Sequence, residues 1–295
     1  MFANEDTRVF EDERPRLLGL AYRILGTRVE AEDVVQEVFL KWASVDRADI
    51  HHPPAWLTTV CTRCALDALK AAHRTRVTYT GSWLPEPIQA TIDDDPARDL
   101  ELASSLTTAF LLVLERLTPK ERAAYLLREV FGEAYAEIAE ALELEQNACR
   151  KLVSRAKNSI EQARVRHTTT PETQQQLLEA FQDAVATGRT DRLAQLLADD
   201  VRLSADGGGK VPALLDDLLG KPRVLDFVGK KLSRYWADFR WRTTMVNGGL
   251  GGILESDGLV VGIVSFAFDP EGCATGIYIV RNPDKVSDLE PVRIC

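Results

Sequence analysis

The chain has 295 residues, 45% of them hydrophobic, which suits packed cores in two or three domains. Its formal charge of −9 is wrong for a simple nucleic-acid binder, but the charge is uneven. Residues 81–105 carry one basic and six acidic side chains, whereas residues 106–167 carry ten and nine. No run approaches the roughly 18 apolar residues of a membrane span, the acidic stretch Met1 to Asp12 has no signal-peptide pattern, and five scattered cysteines suit a reducing compartment, so a cytoplasmic protein is expected.

Residues 8–76 read as helix. Leu17, Leu18, Ala21, Tyr22, Ile24 and Leu25 form one apolar face, closed by Gly26. Glu30 to Trp42 follows, with Val34, Val35, Val38, Phe39 and Trp42 inside and Asp33, Gln36, Glu37 and Lys41 opposite. After His51-His52-Pro53-Pro54, a third helix is expected over Ala55 to His73, with Arg63, Lys70, Arg74 and Arg76 outside or near its C-terminal end. Trp42 and Trp56 fall on apolar stripes and read as core. Cys61-x-x-Cys64 has redox or metal spacing, but no second pair or histidine cluster accompanies it, so both read as packing thiols.

Residues 77–105 read as a linker. Prolines keep Trp83-Leu84-Pro85-Glu86-Pro87 extended, and Asp93-Asp94-Asp95 is a solvated tether or a helix start. Helix resumes over Leu100 to Leu117, then Lys120 to Val130, with Thr118 as N-cap, Pro119 at the first helical position and Glu121 at the third. Residues 134–158 then form two short helices with a break at Glu143-Leu144. Stripes at Ile138, Ala139 and Leu142, and at Ala148, Leu152 and Ala156, pack together. Gln146, Asn147, Arg150, Lys151, Ser154, Arg155 and Lys157 are left facing outward. Arg, Gln and Asn pair bidentately with base edges and Lys meets phosphate, so this pattern suits a major-groove reader; a solvated helical hairpin is the plain alternative.

Beyond Thr168-Thr169-Thr170-Pro171 the character changes. Glu172 to Thr187 and Val224 to Trp236 read as helices. Val201 to Ala205, Phe239 to Val246, Leu250 to Leu254, Leu259 to Phe268 and Cys273 to Val280 read as strands, with turns at Asp257-Gly258 and Asp269 to Gly272. Helices followed by an antiparallel meander predict an α+β domain with a curved sheet wrapped around helices.

The first 167 residues resemble bacterial sigma factors of the extracytoplasmic-function group. The resemblance rests on Ala31 to Phe39, on Leu117-Thr118-Pro119-Lys120-Glu121-Arg122 and on the turn before Gln146. The rest resembles a subgroup with a fused SnoaL-like (NTF2-like) domain. Trp83-Leu84-Pro85-Glu86-Pro87, Asp206-Gly207-Gly208-Gly209-Lys210 and Asn282-Pro283-Asp284-Lys285-Val286 carry that closer match. The resemblance implies a multidomain chain: two all-α domains and then an α+β cone. Sigma-2 would span 8–77, a linker 78–105, sigma-4 with its helix-turn-helix 106–167, and the SnoaL-like domain 172–287.

It also implies the partners. Asp33, Gln36 and Glu37 would face the β′ clamp helices of RNA polymerase core, with the β flap as a second contact. Arg63, Lys70, Arg74 and Arg76, with the loop Asp46 to His52, would serve the single-stranded −10 promoter element. Gln146, Asn147, Arg150, Lys151, Ser154 and Arg155 would read the −35 element in promoter DNA. Glu145 departs from the Ser-like cap often found there.

The three closer motifs are expected to meet in one contact, anchored by Trp83, that regulates the spacing of the two sigma domains. Three consecutive glycines imply positive φ or a close approach, and Lys210 beside them leaves an anion nest open. No histidine lies in the C-terminal domain, so no His–Asp acid–base pair can form there. A buried Asp or Glu alone could still serve as base, Asp206 being the first candidate and Asp238 and Asp257 weaker ones, and a non-enzyme without cofactor or metal is expected. A cone-shaped pocket leaves room for a small ligand. The alternative is a one-component helix-turn-helix regulator that senses a ligand and binds duplex DNA without polymerase.

Overall fold

A computed structural model describes residues 4–46, 50–76, 78–90, 106–162, 169–287 and 289. The chain divides into two compact units, one of residues 1–77 and 113–163, the other of residues 78–112 and 164–295. The linker segment thus clusters with the C-terminal residues. Residues 106–112, expected in sigma-4, do so as well.

The described residues of the first unit form helices and the turns between them. α1 (Asn4–Leu25), α2 (Arg28–Ser44) and α3 (Pro53–Arg76) pack together through Leu17, Leu20, Ile24, Val34, Val38, Leu57 and Leu69, all buried. Gly26 ends α1 at φ 77°, and its N–H donates to the Tyr22 carbonyl at 2.7 Å. Trp42 is buried and its ring lies 5.5 Å from the half-buried Trp56. The Cys61 thiol is also buried, and burial pushes its pKa up to about 12, which suits a packing role.

α4 (Thr108–Leu114) leads to α5 (Pro119–Tyr125). Thr118 and Glu121 form the expected reciprocal cap: the Thr118 hydroxyl accepts from the Glu121 N–H, and the Glu121 carboxylate accepts from the Thr118 N–H. One wide turn, Leu126–Val130, ends this helix. α6 (Tyr135–Leu142) and α7 (Gln146–Gln162) follow.

The second unit is a seven-stranded sheet in the order β1-β4-β5-β6-β7-β2-β3. Its strands are β1 (Gln89–Ala90), β2 (Leu197–Asp206), β3 (Leu218–Leu219), β4 (Arg240–Val246), β5 (Gly249–Ser256), β6 (Leu259–Phe268) and β7 (Ala274–Val280). The predicted meander is β4 to β7. The parallel pairing of β2 with β7, and the short edge strands β1 and β3, were not anticipated.

Successive residues of these strands serve two cores. Leu254, Val264 and Ile279 pack with α8 (Pro171–Thr187) and with Val224, Val228 and Trp236 of the helical stretch α10 (Lys221–Phe227), a wide turn (Val228–Leu232) and α11 (Ser233–Trp236). Their neighbours Ile253, Ile263 and Val280 pack on the other face with Leu84 of the linker, Ala109 of α4, Val286 and Leu289. α9 (Asp191–Leu196) and α12 (Pro283–Val286) complete the unit, and neither was read from the sequence.

Candidate nucleic-acid interface and linker-binding cluster

α6 ends at Glu143, which takes the left-handed conformation at φ 53°, so the chain turns within three residues before α7 begins. Cys149, Val153, Ala156 and Ile160 are the buried stripe of α7, whereas Ala148 and Leu152 are half-buried. The predicted stripe was therefore one residue out of phase at two of three positions. The outward face is unaffected, because Gln146, Asn147, Arg150, Lys151, Ser154 and Arg155 are all exposed.

Part of that face is internally paired. Arg150 Nη1 donates to Asn147 Oδ1 at 2.9 Å and the guanidinium lies 5.0 Å from the Tyr135 ring centre. Arg155 pairs with Glu121 at 3.2 Å and Lys157 with Glu129 at 3.3 Å. Among the described residues Lys151 has no carboxylate partner. Two of these cations would exchange an internal carboxylate for phosphate on binding a nucleic acid, at small cost because exposed pairs contribute roughly 0–1 kcal/mol.

On α2, Asp33, Gln36 and Glu37 are exposed, as is the apolar pair Val29 and Leu40. Spacings of three and four residues put Val29, Asp33, Gln36 and Leu40 on one helical face. The apolar members were missed in the sequence, although an exposed Leu flanking a polar stripe is the signal for them. Glu37 is held below its ordinary pKa chiefly by its hydrogen bond from Lys41, 2.9 Å away.

On α3, Arg63 and Lys70 are exposed, and Lys70 pairs with Asp67 at 2.8 Å. Arg74 and Arg76 lie in α3, but their side chains fall outside the described residues, as do 47–49 of the candidate loop and the acidic run Asp93 to Asp95.

Arg63 is also a tether. Its Nη2 donates to the Glu140 carbonyl at 2.7 Å, its Nε to the Ala141 carbonyl at 3.3 Å, and Glu143 lies 3.6 Å away. The last turn of α6 is thereby capped by a cation from α3, which suits the negative end of the helix dipole. Three further cations link α1 to α5 and to the residues just before α6. Arg16 pairs with Glu133, Arg122 Nη1 donates to the Ile24 carbonyl at 2.6 Å, and Arg16 and Arg23 lie 5.4 and 5.6 Å from the Phe131 ring centre. Burial lowers the Arg23 pKa to about 10.

The three motifs of the second unit meet around Asp206, at the end of β2 and fully buried. Its Oδ1 accepts from the Tyr79 hydroxyl at 2.5 Å and the Gly208 N–H at 2.9 Å. Its Oδ2 accepts from the Leu84 N–H at 3.0 Å and Lys285 Nζ at 2.7 Å. Lys285 also donates to the Leu84 carbonyl at 2.6 Å and lies 4.5 Å from the Trp83 ring centre. One buried ion pair thus grips both backbone groups of Leu84.

Asn282 donates from Nδ2 to the Tyr79 hydroxyl at 2.9 Å, and Lys210 pairs with Asp284 at 2.6 Å. Gly208 takes φ 63°, and a Cβ there would overlap the Asn282 carboxamide; this is the close approach that the glycine run implied. Gly207 is buried, and a Cβ there would stand 2.5 Å from the Val211 carbonyl oxygen, whereas Gly209 is exposed and lies against Thr80. Pro85, Glu86 and Pro87 are buried and Pro283 opens α12.

The anchor is Leu84, not Trp83: Leu84 is 1% exposed, while Trp83 is half-buried over the Lys285 ammonium. Tyr79 was missed. Burial and the adjacent Asp206 carboxylate push its phenol well above the ordinary range. Asp206, the first candidate base, has both oxygens occupied by these donors. Next to the cluster, the Ile88 N–H donates to Asn247 Oδ1 at 2.6 Å and the Asn247 N–H to the Ile88 carbonyl at 2.9 Å, placing β1 on the sheet edge. No helix of the described residues is long and apolar enough to cross a membrane.

Comparison with known proteins fits this geometry. Residues 9–75 match the family Sigma-70 region 2, and residues 107–160 match Sigma-70, region 4. The chain is 35% identical over 286 residues to the ECF RNA polymerase sigma factor SigJ of Mycobacterium tuberculosis, covering 94% of this chain and 91% of that protein. It is 31% identical over 244 residues to the probable ECF RNA polymerase sigma factor SigI of Mycobacterium tuberculosis, covering 75% and 83%. The crystal structure of the Mycobacterium tuberculosis extracytoplasmic function sigma factor SigJ superposes with a TM-score of 0.76 at 33% identity, covering 94% of this chain and 96% of that one. These matches disfavour a one-component regulator. With helices of both sigma regions in the expected order and an α+β domain behind them, the chain belongs to the extracytoplasmic-function RNA polymerase sigma factors.

Proposed function

We propose that this cytoplasmic sigma factor brings RNA polymerase core to promoters by dividing the work between its helices. Sigma-2 comprises residues 8–77 and sigma-4 residues 106–167, with a linker of 78–105 and a regulatory domain of 172–287. The exposed face of α7 reads the −35 element: Gln146, Asn147, Arg150 and Arg155 approach base edges, while Lys151 and Ser154 hold phosphate. Arg63, Lys70, Arg74 and Arg76 hold the −10 strand once it is melted. Asp33, Gln36 and Glu37, flanked by Val29 and Leu40, meet the β′ clamp helices, and the sigma-4 segment meets the β flap. The C-terminal domain acts in cis and without catalysis: it holds the linker through Asp206 and Lys285, and its cavity holds a small ligand.

The observation that carries this reading is the helix-turn-helix itself. It combines a tight left-handed turn at Glu143, a buried stripe on one side of α7 and an uninterrupted polar, cationic face on the other. A second observation bears on regulation. Arg63, a −10 candidate, is bonded to the α6 carbonyls in this structure, so reading DNA requires α6 to let it go.

Run-off transcription with purified core polymerase tests the reading. The full chain should support initiation from a cognate promoter, and Arg150→Ala should weaken it by about 1–3 kcal/mol at one −35 position only. Duplex binding that persists without polymerase, together with silent transcription, would return the one-component regulator to favour.

A further inference from the structure

The second unit contains a cavity of about 510 Å³. It opens between the Pro212–Leu214 loop, the Lys221–Trp236 helical stretch and the ends of β2 and β7. Its size falls within the roughly 300–1,000 Å³ of sites that hold small organic ligands. Its walls are apolar and aromatic, with Leu214, Phe227, Trp236 and Phe239 prominent; the Trp236 and Phe239 rings stack with centres 6.4 Å apart. Two cations, Lys231 and Arg281, complete the lining, and among the described residues no acidic side chain is part of it.

Arg281 is the distinctive group. It is half-buried, and burial lowers its pKa. A guanidinium carries five N–H donors. Here Nε reaches the Val261 carbonyl at 3.4 Å and Nη1 the Pro212 carbonyl at 3.3 Å, both long, and the group lies 5.9 Å from the Trp236 ring centre. Among the described residues no carboxylate pairs with Arg281 or Lys231. A partly desolvated cation is costly until an anion meets it, and a guanidinium fork matches a carboxylate in two parallel hydrogen bonds.

We propose that this cavity binds a small carboxylate with an apolar chain or ring, the carboxylate on Arg281 and the apolar body between Trp236, Phe239, Phe227 and Leu214. Lys231 is exposed at the mouth and supplies a second, mobile positive charge for the same head group. An uncharged molecule of the same shape would fill the apolar part and leave Arg281 unpaired. This inference deepens the reading of the C-terminal domain as a ligand-holding regulator and rests on it.

Calorimetric titration of the full chain tests it with two acids, decanoate and 2-naphthoate, each against its alcohol, 1-decanol and 2-naphthalenemethanol. At least one acid should saturate one site per chain, with its alcohol at least about tenfold weaker. Arg281→Gln should weaken the acid by at least about tenfold and leave the alcohol unchanged. Leu214→Trp, which fills the cavity and keeps the Arg281 charge, should abolish both, so the test survives a failure of the first variant to fold. The proposal is overturned if neither acid saturates, if acid and alcohol bind alike, or if Leu214→Trp leaves binding intact. Run-off transcription on the same preparation separates the readings: active transcription without acid binding removes only the ligand, and acid binding without transcription removes only the promoter role.

Discussion

The contacts that join α3 to α6 and those that fix the linker to the sheet use the same chemistry in opposite surroundings. In both, a cation caps backbone carbonyls and meets a carboxylate. Arg63 and Glu143 do so with side chains 45% and 75% exposed, while Lys285 and Asp206 are 8% and 0% exposed. Water competes for the first pair and is excluded from the second. The difference separates a contact that can open on binding from one that behaves as part of a core.

The strongest way to break this comparison is Asp206→Ala, which strands the Lys285 charge in the interior. Urea unfolding of the full chain should lose about 3–5 kcal/mol, and Asp206→Leu with Lys285→Met should recover only part of it, because the backbone groups of Leu84 stay unpaired. A loss below about 1 kcal/mol would mean that the buried pair is no stronger than a surface one. Leu84→Ala comes next, at about 2–4 kcal/mol, because it empties a fully enclosed site between linker and sheet. It should also expose residues 78–90 to limited proteolysis while the helical unit stays protected.

Gly208→Ala sharpens the point at about 1–3 kcal/mol, since it adds a side chain at positive φ against Asn282. Thermal melting should report it, and an unchanged melting temperature would show that the loop can move aside. Arg63→Ala should cost only about 1 kcal/mol or less, with faster amide exchange at the end of α6 as its signature. A cost above that of Asp206→Ala would reverse the comparison. Smallest of all, Cys61 should resist aromatic disulfide reagents at pH 8 in the native chain, because burial disfavours its thiolate; rapid labelling would reveal an opening of the α1–α3 core.

Much of the helical unit was legible because its signals are local. Thr118, Pro119 and Glu121 specify a helix start within four residues, and the break at 143–144 follows from where the apolar spacing resets. The phase of α7 was misread because Cys149 and Val153 were passed over in favour of Ala148 and Leu152, which lie one residue earlier and share Ala156 with the buried row. Trp83 to Pro87 was read as meeting the Asp206 and Asn282 motifs, which it does, but the sheet face that Leu84 packs on was not read. That surface had a signal: Leu259 to Phe268 is apolar at both parities, so the strand has to be covered on both faces, and the helices supply only one cover. Tyr79 had no such signal, since an isolated tyrosine among threonines looks the same whether exposed or bonded to a buried carboxylate. Asp206 shows the converse limit, because a buried acid reads alike as a base or as a counter-ion until its neighbours are known.

The grip of Lys285 on Leu84 joins residues 201 apart in the chain. Synthesis proceeds from the N-terminus at about 5–20 residues per second, so roughly 10–40 s pass between the emergence of the linker and that of the residue that locks it. Within that interval the partners of α1 to α3, up to Glu143, are all made, whereas β2 has its carboxylate and no ammonium to neutralise it. A nascent chain therefore completes its helices early and its regulator last. A ribosome that stalls before Lys285 releases a molecule with sigma helices and an unsecured linker, a species that the cell's proteases can recognise by the loose segment at 78–90.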